Sequence, residues 1–404
     1  MMIYSIFTVM PVFVILFWLL LFFLRSKKNN ATQQFLMLFL GVAFVNYIAH
    51  WCYFNHNYEL YQVLDSVWVF TSLASYPLYF YYIRLLTVDT RIQCRWSWIL
   101  LPALLLSLFS ASIYLLMSPA EVEQFIHEVL FHDREQRVGY SPLIRLQQLR
   151  IGLFKFMFGI QVLFTLLFGL RLIADFNKKV YAFYSNAENR EMTKIRHLLF
   201  FLVLASLVSA LSNLIGKNYF YDHPYLLAFP SIMHSIALFG ISYVGYNQHF
   251  TIRDLQQDVE AGKPDADESD NVDPASESMT GIVYDIFLLK LEELFEVDQL
   301  FKDPDVRMND VARRLGTNRT YVSRLINCHM KMSFCDYVND YRIRHAEQLL
   351  SSPEQTALSM EDVAISSGFS GSSSFYRAFV KKHGISPGKY RKLHLPSYRK
   401  QGSS

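Results

Sequence analysis

Over the first 250 or so positions the chain alternates long apolar runs with short polar breaks; beyond them charge is dense. A helix needs about 20 mainly apolar residues to cross a bilayer core. Seven runs meet that length: Ile3–Leu24, Phe35–Phe54, Val63–Leu85, Trp98–Met117, Ile151–Ile173, Leu198–Gly216 and Tyr225–Tyr246. The stretch that follows, with "EAGKPDADESDNVDPASES" at its centre, is acidic and almost free of apolar residues, so it cannot bury a core and reads as disordered. From Gly281 apolar positions return at helical spacing. "IVYDIFLLKLEELFEVDQLF" forms one broad apolar face, and Pro304 ends it. One pattern then occurs twice. Met308-Asn309-Asp310-Val311-Ala312 leads through Gly316 to Val322, Leu325 and Ile326, and Met360-Glu361-Asp362-Val363-Ala364 leads through Gly368 to Phe375, Ala378 and Phe379. Between the copies, "SFCDYVNDYRIRHAEQLL" reads as one long amphipathic helix. The pattern predicts an all-α protein in three parts. These are a seven-helix transmembrane bundle over 1–248, a disordered linker over 249–280, and a helical module over 281–404 with two helix-turn-helix units joined by a long helix.

Composition sharpens the division. The chain is 52% hydrophobic and only 18% charged, which is high in apolar residues for a soluble protein. Between Asp305 and Ser404, however, 16 Lys/Arg stand against 8 Asp/Glu, and a basic module points to nucleic acid or an anionic membrane surface. Positive charge also orients the bundle. Arg25, Lys27 and Lys28 follow the first run, Arg84, Arg91 and Arg95 the third, and Lys178, Lys179, Arg190, Lys194 and Arg196 the fifth, whereas 55–62 has no Lys or Arg. The N-terminus is expected outside and the module in the cytoplasm, with the chain in the cell's inner membrane. The four cysteines show no metal-site spacing, and no disulfide framework is expected. No phosphate loop, nucleophile constellation or carboxylate pair appears, so neither an enzyme nor a cofactor is expected. "HDRE" at 132–135 reads as a solvated outside loop.

In each repeat the second helix turns apolar residues inward and polar residues outward. Thr320, Ser323, Arg324 and Asn327 lie opposite the stripe of Val322, Leu325 and Ile326, and Ser373, Tyr376 and Arg377 take the matching face of the second copy. Arginine bridges guanine O6 and N7, and Ser, Thr and Asn suit other base-edge or phosphate contacts. The predicted DNA contacts are therefore Arg319, Thr320, Ser323, Arg324 and Asn327 in the first unit. In the second they are Ser372, Ser373, Tyr376 and Arg377, with Lys381, Lys382 and Arg391 toward phosphates or, alternatively, anionic lipid.

Residues from about 290 to 395 resemble the DNA-binding domain of the AraC/XylS-type bacterial transcription regulators. The likeness runs through "LGTNRTYVSRLI", "SFCDYVNDYRIRHAEQLL", "DVAISSGF" and "SSFYRAFVKKHGISPGKYR". It implies two recognition helices in successive major grooves of double-stranded DNA, with RNA polymerase as a further partner. Gly371, where a side-chain N-cap is usual, and Val380, where lysine is frequent, depart from the pattern. The resemblance covers about a quarter of the chain and leaves the apolar part open.

For that part three readings stand: a sensor for the module, a transporter or membrane enzyme regulated by the module, and a passive anchor. Ionisable residues inside a bundle usually mark function. His50, Asp65, Lys155 and Asn213 fall near the external ends of their runs, and His234 lies deeper. They are expected to line a pocket for a small polar signal, with Trp51 and Trp68 as neighbours. The helix near Ile282–Phe301 either packs on its own module or pairs two chains as a homodimer.

Overall fold

The structure, a computed structural model, describes residues 2–25, 30–132, 139–188, 190–215, 224–261 and 281–395. The chain divides into two compact units, one of Met1–Asp175 with Met192–Arg253 and the other of Phe176–Glu191 with Asp254–Ser404. Regular structure among the described residues is helical throughout, apart from one isolated bridge between Tyr184 and Arg307.

The first unit holds α1 (Met2–Leu24), α2 (Ala31–Phe54), α3 (Tyr58–Thr87), α4 (Leu101–Leu116), α5 (Pro119–Gln124), most of α6 (Pro142–Phe183), α7 (Thr193–Ile215) and α8 (Ala228–Asn247). Helix α2 packs against α1 and α3, α3 against α4, and α8 against α1 and α7. Each predicted run thus falls on a helix. Five helical stretches among the described residues are long and apolar enough to cross a membrane: Ile6–Leu24, Ala31–Phe54, Cys94–Leu116, Pro142–Phe183 and Tyr225–Glu260. Helix α3 is not among them, because its tyrosines, hydroxyl residues and charges lower its hydropathy. It carries Asp65, Tyr76, Tyr79, Tyr81 and Tyr82 and is buried along most of its length, so its own neighbours, not the surroundings, solvate its polar groups. For α7, the last side chains lie outside the described residues.

Polarity in this unit runs outward-apolar. Phe13, Phe23, Leu105, Leu115 and Phe156 are exposed. Inside, the Asn46 amide donates to Ser72 at 2.5 Å and Thr71 at 3.2 Å, and Gln147 donates to the Ser110 carbonyl at 3.2 Å. The stretch after α4 is folded as far as His132. Ser118 caps α5, and Phe125, Ile126, Leu130 and Phe131 pack with Tyr53 and Tyr61. Most of the "HDRE" tract lies outside the described residues.

The segment expected to be disordered from 249 begins instead with α9 (Ile252–Ala261). Ile252 and Leu255 are buried three residues apart, one helical step, and Asp258 on this helix accepts from Tyr184 at 2.5 Å and pairs with Arg307 at 3.0 Å. The acidic composition of the whole stretch masks that short stripe. Residues 262–280 lie outside the described residues.

The second unit continues with α10 (Gly281–Glu296), α11 (Met308–Leu315), α12 (Arg319–Arg324), α13 (Phe334–Ser351), α14 (Met360–Ser366), α15 (Ser372–His383) and α16 (Pro387–His394). Local chemistry sets each boundary. Gly316 ends α11 at φ 65°, and Asn318 opens α12 by accepting the Tyr321 N–H at 2.8 Å. Ser333, Ser359 and Ser386 cap α13, α14 and α16 in the same way. Gly368 sits at φ 84°, and a Cβ there would meet the Phe301 carbonyl oxygen at 2.3 Å, so only glycine fits this turn. Gly371 precedes α15 without a side-chain cap, as the sequence pattern indicates. Helix α10 packs on its own module through Leu291 and Phe295, whose ring lies 4.9 Å from that of Tyr337, yet leaves Ile286 and Leu289 exposed.

Candidate nucleic-acid interface

The second helix of each glycine-turned pair is fixed from below by its apolar stripe. Val322, Leu325 and Ile326 are fully buried under α12 and the π-helical turn Leu325–His329 that prolongs it. Phe375 and Phe379 join Ile343, Ala346, Leu350, Val363, Ala364 and Phe369 in the core of the second unit. Helix α13 serves both cores: Phe334 and Val338 are buried near its start, and Ile343, Ala346 and Leu350 further on.

The predicted contact residues then separate by exposure. Arg319, Thr320 and Arg324 are exposed and Ser323 is half-buried on α12, and exposed Asn327 in the following turn donates its amide to Ser323 at 2.9 Å. Ser372, Ser373, Tyr376 and Arg377 are exposed on α15. Lys381 and Lys382 are held by carboxylates of α13, Asp336 at 2.6 Å and Asp340 at 2.7 Å. These are surface ion pairs that exchange for phosphate at little cost. Arg391 differs from the expectation. It is half-buried and donates to the Leu358 carbonyl at 2.8 Å, tying α16 to the chain before α14. Among the histidines, His345 is held by Ser367 at 3.2 Å, and burial lowers its pKa.

Sequence reasoning missed the group that organises this unit. Arg342 on α13 is 1% exposed and has no carboxylate in hydrogen-bond reach among the described residues. Its Nε donates to the Phe301 carbonyl and its Nη2 to that of Asp303, both at 2.8 Å, and Nη1 and Nη2 reach the Ser185 carbonyl and hydroxyl at 3.4 and 3.2 Å. Burial lowers the guanidinium to about 10, so it stays charged at neutral pH. Beside it the Cys335 thiol, pushed up to about 11 by burial, donates to the Ser185 carbonyl at 3.2 Å. Ser185 lies far from either residue in sequence, and no local periodicity signals that meeting.

The expected ligand pocket in the first unit is brought together in part. Tyr47 lies between His50 and His234, with ring centroids 5.8 and 6.1 Å away, and Trp68 lies 5.8 Å from His50. His234 also engages the Pro230 carbonyl at 2.8 Å. Asp65 is fully buried and engaged elsewhere: Arg150 pairs with it at 2.7 Å, Tyr114 donates at 2.9 Å and Tyr61 at 3.3 Å. Lys155 is exposed, and the side chain of Asn213 lies outside the described residues. A cavity of about 300 Å³ is lined by Tyr58, Glu59, Gln62, Tyr114, Glu123 and His127 among others. Tyr114 thus lines the cavity and holds Asp65. Among the described residues no three His, Cys, Asp or Glu side chains are grouped to hold a metal.

Comparisons with known proteins bear on the second unit alone. Residues 311–393 match the family described as a helix-turn-helix domain. The melibiose operon regulatory protein of Escherichia coli (strain K12) is 36% identical over 91 residues, 22% of this chain and 29% of that protein. The Msm operon regulatory protein of Streptococcus mutans is 33% identical over 87 residues, 22% of this chain and 30% of that protein. An uncharacterized HTH-type transcriptional regulator of Bacillus subtilis, YtdP, is 34% identical over 89 residues, 22% of this chain and 11% of that protein. The chain spans less than a third of the length of these relatives. Two glycine-turned helix pairs on one long helix, matched in this way, make residues 311–393 an AraC-type helix-turn-helix domain.

Proposed function

We propose that the chain is a bacterial membrane-bound transcription regulator in which a multi-helix membrane part senses a signal and the module reads double-stranded DNA. One observation carries the DNA reading. Helices α12 and α15 each follow a glycine turn, stand on a buried stripe, and present Arg324 and Arg377 outward. Such helices enter successive major grooves, with their half-sites about one helical turn apart. The operon regulators named above support the same assignment.

The outward apolar faces of α1, α4 and α6 and the polar interior behind them suit a bilayer rather than water. Seven crossings, an external N-terminus and a cytoplasmic module in the inner membrane complete the reading, and the arginine- and lysine-rich breaks support that orientation. The signal enters from outside, near His50, Asp65 and His234. Tyr114 supports this entry point, since it lines an open cavity and also holds Asp65. RNA polymerase is the partner on DNA, and the exposed Ile286 and Leu289 of α10 give a surface for a homodimer.

The test is selection of duplexes from a random pool by the purified full chain in detergent. An enriched bipartite motif with half-sites about one turn apart is expected. Recovery of the pool unchanged refutes the reading.

A further inference from the structure

The stretch that ends α6 and follows it belongs to the same compact unit as the DNA-binding domain. Its anchor is buried. Tyr184 and Ser185 are each 1% exposed, Tyr184 bridges to Arg307, and the Ser185 N–H donates to the Val306 carbonyl at 3.3 Å. Arg342 and Cys335 hold Ser185 from the other side. Burial and the bond to Asp258 keep the Tyr184 phenol above its usual pKa and therefore a donor.

Beyond the anchor the stretch turns acidic, and its carboxylates meet the second recognition helix. Arg377 pairs with Glu191 at 3.1 Å and with Glu188 at 3.5 Å. Ser370, just before α15, donates to Glu188 at 3.4 Å, and Tyr181 holds Glu191. At the other end of the stretch the Arg319 guanidinium lies 5.9 Å from the Phe183 ring. One short segment therefore engages an arginine on each recognition helix.

We propose that Glu188 and Glu191, the acidic tip of this stretch, are a built-in competitor for DNA that occupies the second recognition helix. The proposal rests on the DNA-binding reading above. Carboxylate oxygens take the guanidinium N–H groups that would otherwise bridge guanine O6 and N7 or grip a phosphate. Two carboxylates at the same face also repel the DNA backbone.

The two ends of the segment differ in strength. The anchor is buried and held by several hydrogen bonds, whereas the Arg377 side chain is 55% exposed and its ion pairs are of the weak surface kind. Ser185, Glu188, Glu191, Arg342 and Arg377 all line a cavity of about 160 Å³, so the acidic tip is not close-packed. The tip leaves while the anchor stays, and that makes it a switch rather than a fixed block.

The experiment compares three full-length chains in detergent by fluorescence anisotropy with a labelled random-sequence duplex at low salt. They are the parent, the Glu188→Gln/Glu191→Gln variant, and a Glu293→Gln/Glu296→Gln control that removes equal charge from exposed positions on α10. The tip variant is expected to bind about three- to tenfold tighter than the parent, and the control to gain clearly less. Equal gains by both variants reduce the effect to net charge and overturn the competitor. A parent that binds as tightly as the tip variant overturns it as well, with the DNA reading intact. Failure of all three chains to bind any duplex removes the DNA reading, and the competitor with it.

Discussion

Among the described residues each unit buries one arginine completely, and the two are neutralised in different ways. In the first unit Arg150 meets the carboxylate of Asp65 at one oxygen, where Tyr114 also donates, and Tyr61 donates to the other oxygen. In the second, Arg342 is met by backbone carbonyls and a serine hydroxyl. The surroundings decide which solution is open. Long helices consume their own carbonyls, so a cation between them needs a charged partner. The irregular turns at Phe301–Asp303 and Ser185 leave three carbonyls unused, and the guanidinium donates to each of them. The first solution is a pair; the second is a knot that ties three distant stretches of chain.

The comparison breaks first at the pair. Asp65→Leu leaves a buried uncompensated cation and is expected to cost about 3–5 kcal/mol, whereas Asp65→Leu with Arg150→Leu should recover most of it. Thermal melts of the full chain in detergent measure both, and a double variant as unstable as the single would show that the pair does not act as one. The knot has no partner to delete with it. Arg342→Leu should cost about 3 kcal/mol through carbonyls left unpaired, and Ser185→Ala should not rescue it in the same melts.

Smaller effects sharpen the picture. Gly368→Ala pushes a Cβ against the Phe301 carbonyl that Arg342 uses, at a position already at φ 84°. The strain should lower stability by about 1–3 kcal/mol. At the surface, Arg324→Ala should leave the melt unchanged and weaken specific DNA binding by about 1–3 kcal/mol. Lys381→Ala and Lys382→Ala should weaken all duplexes alike, each flattening the salt slope by about one, as titrations at several salt concentrations would read.

What the chain revealed in advance follows the same division. Val322, Leu325, Ile326, Phe375 and Phe379 are local signals, spaced by the helical period, and Gly316 and Gly368 punctuate them; all take the places their spacing implies. Asp65 was legible as an ionisable residue among apolar ones, but its partner lies 85 residues away and no period links them. The role of Ser185 was hidden for the same reason, since it is a small polar residue in a stretch whose lysines drew attention to orientation. Helix α9 was hidden differently: two apolar residues disappear in an acidic average. Arg391 looked like one more basic residue of a basic ending, and only the position of the Leu358 carbonyl gives it an inward role.

The anchor at Ser185 also has a consequence in time. Ser185 leaves the ribosome 157 residues before Arg342, roughly 8–30 s at 5–20 residues per second. By the time α13 emerges, the serine that completes its arginine is already waiting, and the acidic tip comes with it. The second helix of each pair is made later and folds onto a segment already present, so on the competitor proposal the acidic tip reaches Arg377 before any DNA does.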